Sequence, residues 1–407
     1  MFDILNMHPS SPILAQHKQN LLLKMQGIKL KIQKISEPSS ARIVLSIDDL
    51  LIEILLRVPI TSLLCFKTVS KRWLSIITHP HFSVLYPNRA IGLVLTCPYS
   101  LPAKPQYDYV HFDKKNPSKP PFKNLKFIND SSGISVLQSC NGLMLCSNSA
   151  SRLAKRNYYV CNPTTKHYTT LPKSLLQTEN SKIHGISLAF DPLKSPHYKV
   201  ICVRDSVSSP QHYQIEIYSS QTGPWRLSGD PFIADVNFSK GVYWNGSIYW
   251  ISTIGNLTCL YFNFDFESLR IMPMPHFPDD QGTTITYFGE SFGHLHLTKI
   301  SFYTIRFDVY EMRRDDSEWF IKYKVDFEHP YDHEFKYYNF AILSLVRGKR
   351  EEDAFLVLAV VNDDKVMKYN FINKTFEKFC DYDVEDEQVF YCSTIGAFEY
   401  IESLCCV

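Results

Sequence analysis

With 407 residues, 45% of them hydrophobic and 21% charged, the chain is long enough for one large domain and a small companion. Its 43 lysines and arginines against 41 acids, interspersed, give no sign of a nucleic-acid or anionic-membrane surface. Eleven cysteines at irregular spacing, without a CxxC pair, indicate neither a zinc site nor a disulfide framework, and fit reduced thiols in the cytoplasm or nucleus.

Residues 1–43 are polar and basic, with Pro9, Pro12 and Pro38 and no alternation. Their composition predicts a disordered or loosely helical leader, with a modest amphipathic helix over Gln19–Ile35.

Residues 44–86 change texture. Ile47, Leu50, Leu51, Ile54, Leu55 and Val58 fall at the spacing of a helix face. Ser46, Asp48 and Asp49 offer caps and negative charge at its start, and Pro59 stops it. Thr61 and Ser62 are placed to cap a second helix carrying Leu63, Leu64, Phe66 and Val69. Ser70 is placed to cap a third, carrying Trp73, Leu74, Ile76 and Ile77 and ending at His79-Pro80. Three short helices cannot cover that many large apolar side chains among themselves, and exposed apolar surface of this kind marks an interaction site.

In order and spacing, DDLLIEILLRVP, SLL, FKTVSKRW and HPHF resemble the F-box of plant F-box proteins. Two positions depart from the family pattern: Ile47 stands where proline is usual, and Cys65 where arginine is frequent. The resemblance implies docking on the Skp adaptor of a cullin-based ubiquitin ligase. It implies an adaptor-binding set of Ile47, Leu50, Leu51, Ile54, Leu55, Val58, Pro59, Leu63, Leu64, Phe66, Val69 and Trp73.

From about residue 90 to 400, helical periodicity gives way to short alternating runs separated by Gly, Pro, Asn and Ser. Five of them, Tyr158–Pro172, Tyr213–Leu227, Cys259–Pro273, Phe307–Lys322 and Val366–Phe379, each read as strand, polar turn, strand. A second type recurs between them: NGLMLCSN from Asn141, NGSIYWIS from Asn245 and GHLHLTKI from Gly293, each a turn opening a strand. Matching points at Val160, Ile217, Phe262, Val309 and Tyr369 lie one four-stranded unit apart, predicting an all-β propeller of six or seven blades. The fold class is thus α+β multidomain, a three-helix module followed by the propeller. SCNGLMLCSN, YYVCNPTTKHYTTLP and KGVYWNGSIYWIS are similar to the F-box-associated, kelch-like region that follows the F-box in this family.

No GxSxG, HExxH, phosphate loop or Cys/His nucleophile pattern occurs, so no catalytic residue, cofactor or metal is expected. His294 and His296 share a strand face as metal ligands do, but two histidines make half a site. The longest apolar run, Ala354–Val361, suits a buried strand and is too short to span a membrane. The resemblance implies a non-catalytic substrate-recognition subunit of a Skp–cullin–F-box ligase. Its partners would be a Skp-type adaptor, through it a cullin, and an unknown protein substrate, with no nucleic acid and no membrane. The alternatives are a propeller scaffold with a vestigial F-box, or a kelch-type metal oxidase. Breaks in the strand pattern at 98–121, 173–182, 228–238, 275–284 and 328–338 are the candidate substrate-reading loops.

Overall fold

The computed structural model describes residues 47–79, 82, 85–86, 90–96, 105–113, 122–148, 156–173, 182–252, 257–275, 277, 283–301, 306–315, 318–327, 340–348, 350–360, 365–381 and 396–407. The expected leader, with its amphipathic helix, lies outside these residues.

Three helices come first: α1 (Asp48–Leu55), α2 (Ile60–Phe66) and α3 (Lys71–Thr78). Asp48 and Asp49 occupy the first turn of α1, where negative charge suits the helix dipole, but the cap position is Ile47 and no side chain caps it. The Asp48 carboxylate instead accepts from Arg72 Nε at 2.9 Å, tying the start of α1 to the start of α3. Nor do Thr61 and Ser62 cap α2. Pro59 takes that position, where its missing N–H costs nothing, and both residues fall inside the helix. Ser70 caps α3 as expected, its Oγ accepting from Trp73 N at 3.1 Å.

The remaining elements are strands. Blade 1 contains β1 (Ala90–Thr96) and β2 (Tyr107–His111). Blade 2 is β3 (Ile134–Cys140), β4 (Leu143–Asn148), β5 (Tyr158–Asn162) and β6 (His167–Thr170). Blade 3 is β7 (Ile183–Ala189), β8 (Lys199–Asp205), β9 (Tyr213–Ser219) and β10 (Arg226–Phe232). Blade 4 is β11 (Val242–Trp244), β12 (Ser247–Ile251), β13 (Cys259–Asn263) and β14 (Ser268–Met272). Blade 5 is β15 (Thr283–Ser291), β16 (His294–Ser301), β17 (Arg306–Met312) and β18 (Trp319–Asp326). Blade 6 is β19 (Phe340–Val346), β20 (Phe355–Val360), β21 (Lys365–Asn370) and β22 (Phe376–Asp381). The last strand, β23 (Gly396–Ile401), returns to blade 1 as its innermost strand, in the order β2-β1-β23. The propeller therefore has six blades, each an antiparallel meander, and one of them joins the two ends of the domain.

The innermost strands touch in the cycle β23, β3, β7, β11, β15, β19 and back to β23, so the ring is closed. A blade has two apolar faces and must bury both. Accordingly each propeller core is shared by two neighbours. Val94 and Tyr400 of blade 1 pack with Val136, Met144 and Tyr159 of blade 2. On its other face, Leu93 and Leu95 pack with Leu343, Phe355 and Val357 of blade 6.

The three Gly-containing turns sit between strands one and two of their blades. Asn141 and Gly142 have φ of 47° and 89°, Asn245 and Gly246 44° and 77°, Phe292 and Gly293 55° and 78°. These left-handed pairs match the right-handed twist of a hairpin. The five longer repeats are strands three and four, and their matching points all lie on strand three. In blades 2, 4 and 6 strand three ends in Asn162, Asn263 or Asn370. Each side-chain oxygen accepts from two amides of the following turn, at 2.9–3.2 Å.

Inner-strand carboxyls converge on the axis. Glu399 on β23 accepts from Ser344 Oγ of β19 at 3.2 Å and feels the charge of Glu290 on β15. Burial first, and mutual repulsion second, push Glu399 up to about 8. Burial and the nearby Asp191 push Glu290 up to about 7. Both groups hold their protons more tightly folded than unfolded. Their stabilising contribution is therefore complete below the ordinary carboxylate range and is lost as pH rises through about 7 to 8. Glu399→Gln is expected to remove much of that loss, raising stability above pH 8 by roughly 2–4 kcal/mol while changing little at pH 5. Denaturant titrations at the two pH values check this, and an equal effect at both would contradict it.

Candidate docking face and the opposite rim

The helical module has a closed core and an open face. Leu51, Leu55, Ile60, Leu63, Ile77 and Phe82 are sealed in one cluster. On α1 the apolar residues divide between two sides. Leu51 and Leu55 are 0% exposed, whereas Ile47, Leu50 and Ile54 are 43%, 43% and 45% exposed. Positions 47, 50 and 54 follow the i, i+3, i+7 spacing that keeps side chains on one outer stripe.

The adaptor-binding set drawn from the sequence divides accordingly. Leu51, Leu55 and Leu63 are fully buried in the core of the module. Ile47, Leu50, Ile54, Pro59 and Val69 are exposed, and Val58, Leu64, Phe66 and Trp73 are half-buried at the edge of the core. Phe66 and Trp73 meet edge to face at 5.2 Å, which fixes α2 against α3. Two further apolar residues are open to solvent, Leu74 at 43% and Leu85 at 44%. Leu74 lies on the expected third helix but had no place in the docking set.

Charged groups frame the stripe without filling it. Arg57 and Glu53 pair at 3.5 Å across one turn, both largely exposed. Such pairs add at most about 1 kcal/mol, so the Asp48–Arg72 and Glu53–Arg57 pairs orient side chains more than they stabilise helices. The module ends at Tyr86, whose hydroxyl donates to Val58 O at 2.9 Å.

Strand direction places the expected reading loops. Within an antiparallel meander, strands one and two join on one rim, and strand four leaves for the next blade on the other. The β3–β4, β11–β12 and β15–β16 turns lie on the first rim, as do the start of β1 and the end of β23. The helical module therefore enters there. The strand ends that flank 173–182, 275–284 and 328–338 face the opposite rim, while residues 174–181, 276, 278–282 and 328–338 themselves lie outside the described residues. Three of the five stretches are partly strand: β2 lies within 98–121, β10 continues through Ser228 to Phe232, and β15 begins at Thr283. Pro231 is tolerated in β10 because that strand is an outer edge.

His294 and His296 do share a face, and their common partner is Glu311 on β17. His294 Nδ1 and His296 Nε2 lie 3.2 and 3.0 Å from its two oxygens. The Arg347 guanidinium of blade 6 also donates to this carboxylate. Burial alone would raise Glu311, but the hydrogen bonds from His294, His296 and Arg347 hold it well below the usual carboxylate range. Burial lowers His296. The group is an ion-pair seam between blades 5 and 6, continued by Glu351, which accepts from Tyr323 at 2.7 Å and Arg347 at 3.1 Å. Among the described residues no group of three or more His, Cys, Asp or Glu side chains is arranged to hold a metal ion. The tryptophans also serve packing: Trp250 is fully buried, while Trp225 and Trp319 donate to Pro172 O at 2.6 Å and Pro273 O at 2.9 Å on the preceding blades.

Comparison with known proteins fits this division of the chain. Residues 48–85 match the F-box domain and residues 105–401 match the F-box associated beta propeller domain. This chain is an F-box protein. It is similar to an F-box protein of Arabidopsis thaliana, 36% identical over 412 residues that cover 90% of this chain and 93% of that one. An F-box/kelch-repeat protein of the same plant is 30% identical over 243 residues, covering 56% of this chain and 60% of the other. With the F-box placed on α1–α3, the open stripe of Ile47, Leu50 and Ile54 lies on the domain's first helix. Among the described residues no helix is long and apolar enough to cross a membrane.

Proposed function

We propose that this F-box protein is the substrate-recognition subunit of a Skp–cullin–F-box ubiquitin ligase, acting in the cytoplasm or nucleus. The observation that carries the reading is the open stripe on α1, apolar side chains left in solvent although the core of the helical module is already closed, with Leu404 completing it. A partner helix laid along Ile47, Leu50, Ile54 and Val69 would remove that surface from water, each fully buried anchor contributing about 1.5–3 kcal/mol. Half-buried Leu64 and Trp73 would border the contact.

The propeller then acts as the reader. Its inter-blade connections on the rim away from the F-box lie outside the blade strands, which suits them to hold a protein substrate. The chain itself performs no covalent step. It holds a substrate lysine near the ubiquitin-loaded enzyme and so raises the effective concentration of the acceptor.

Proximity labelling in plant cells tests this reading. The wild-type chain is expected to label a Skp-type adaptor and a cullin together with its substrate. The Leu50→Asp variant is expected to lose the first two and to accumulate label on the substrate. Absence of adaptor and cullin from the wild-type set would refute the ligase assignment and leave a propeller scaffold.

A further inference from the structure

Beyond β23 the chain continues as Glu402–Val407, and these residues touch both domains. We infer that this tail is a strap that fixes the F-box on the propeller, with Leu404 as its positioning residue. Leu404 is buried in the cluster formed by Leu51, Leu55, Ile60, Leu63, Ile77 and Phe82, and among the described residues it is the one member from beyond the helical module. Its neighbours belong to blade 2. Ser403 N donates to Thr164 Oγ1 at 3.2 Å. Asn162 Nδ2 donates to Ser403 O at 2.9 Å and to Cys405 O at 2.8 Å. Cys405 and Val407 pack beside Cys140, Leu143 and Val160.

The fit is close on the blade side. Gly142, at φ +89°, lies so near the tail that a Cβ there would sit 2.4 Å from Ser403 Cβ. The glycine of the β3–β4 turn thus serves both the turn and the passage of the strap. The strap also works with the other crossing. Ala90 and Ile401 are paired on adjacent strands, so the chain enters from the F-box and leaves toward it side by side. A single linker would let the F-box swivel. Two neighbouring crossings, one of them pinned by Leu404 on one side and Asn162 on the other, remove that freedom.

The consequence is a fixed angle between the stripe on α1 and the rim of inter-blade connections. The importance of that angle for ubiquitin transfer rests on the adaptor reading above, whereas the strap does not. Pulsed dipolar spectroscopy on the full chain measures it, with encoded spin-label residues replacing the exposed Lys71 and Lys240.

Wild type is expected to give one narrow distance distribution. Leu404→Asp, which expels the knob from the helical core, and Asn162→Asp are each expected to broaden it at least twofold. Asn162→Asp keeps the oxygen that accepts from Thr164 and Thr165 and removes only the donor to the tail. Because it leaves the helical core untouched, it decides the matter if Leu404→Asp unfolds the helices. A wild-type distribution in Asn162→Asp would overturn the strap. Adaptor affinity measured on the same samples separates the two ideas: no binding by wild type defeats the ligase reading, while an unchanged distribution defeats the strap.

Discussion

Aspartate at Leu50 or Ile54 is expected to abolish capture of a Skp-type adaptor, lowering affinity at least 100-fold, with the unfolding transitions of both domains unchanged. Each substitution removes an apolar anchor worth about 1.5–3 kcal/mol and sets a charge where a partner must exclude water, at a cost of several more. A loss of about 2.8 kcal/mol is already 100-fold. Both side chains lie nearly half in solvent, so the isolated protein tolerates the change. Leu51→Asp and Leu55→Asp, one position further along the same helix, also lose the adaptor, but by unfolding the module, since both residues are fully buried. Calorimetric titration with far-ultraviolet dichroism distinguishes the two outcomes. Wild-type affinity in Leu50→Asp and Ile54→Asp would remove the stripe from the interface.

The second large effect concerns ring closure. Val94→Pro is expected to cost at least about 3 kcal/mol and to broaden or split the unfolding transition of the propeller. Val94 is buried at the centre of β1, opposite Tyr109 on β2 and Phe398 on β23. Proline there deletes a ladder hydrogen bond in a central strand, where no edge can absorb the loss. The pairing it damages joins residues 90–96 to 396–401, which carries the contact between the first and last parts of the domain. Domains of this kind have a margin of about 5–15 kcal/mol, so opening the ring weakens every blade interface at once. An unfolding midpoint equal to wild type would show that closure through β23 is dispensable.

Local chemistry made much of this architecture readable from the residues. Asn141-Gly142 and Asn245-Gly246 announce hairpins because few residues accept two successive left-handed conformations. The strand-three repeats were legible because each returns an aromatic or branched residue to an inter-blade core, as Phe262 does between blades 3 and 4 and Val309 between blades 5 and 6. The closing strand was not, since its pairing depends on residues some three hundred positions away and leaves no local pattern.

Which side of α1 stays open was not legible for a different reason. Ile47, Leu50, Leu51, Ile54 and Leu55 are apolar around more than one side of α1, and periodicity cannot say which side meets α2 and α3. The packing of Ile60, Leu63 and Ile77 decides it. Leu404 and Glu311 illustrate the same limit. One completes a core of residues 51–82, and the other unites His294 and His296 with Arg347, through contacts that sequence spacing does not encode.

Titrating the purified chain with a purified Skp-type adaptor, and following amide hydrogen exchange of the complex, addresses the central claim most directly. A one-to-one complex with slowed exchange confined to α1–α3, and with the propeller unaffected, is the predicted result. No binding, or protection that falls on the propeller and leaves α1 exchanging freely, would contradict it.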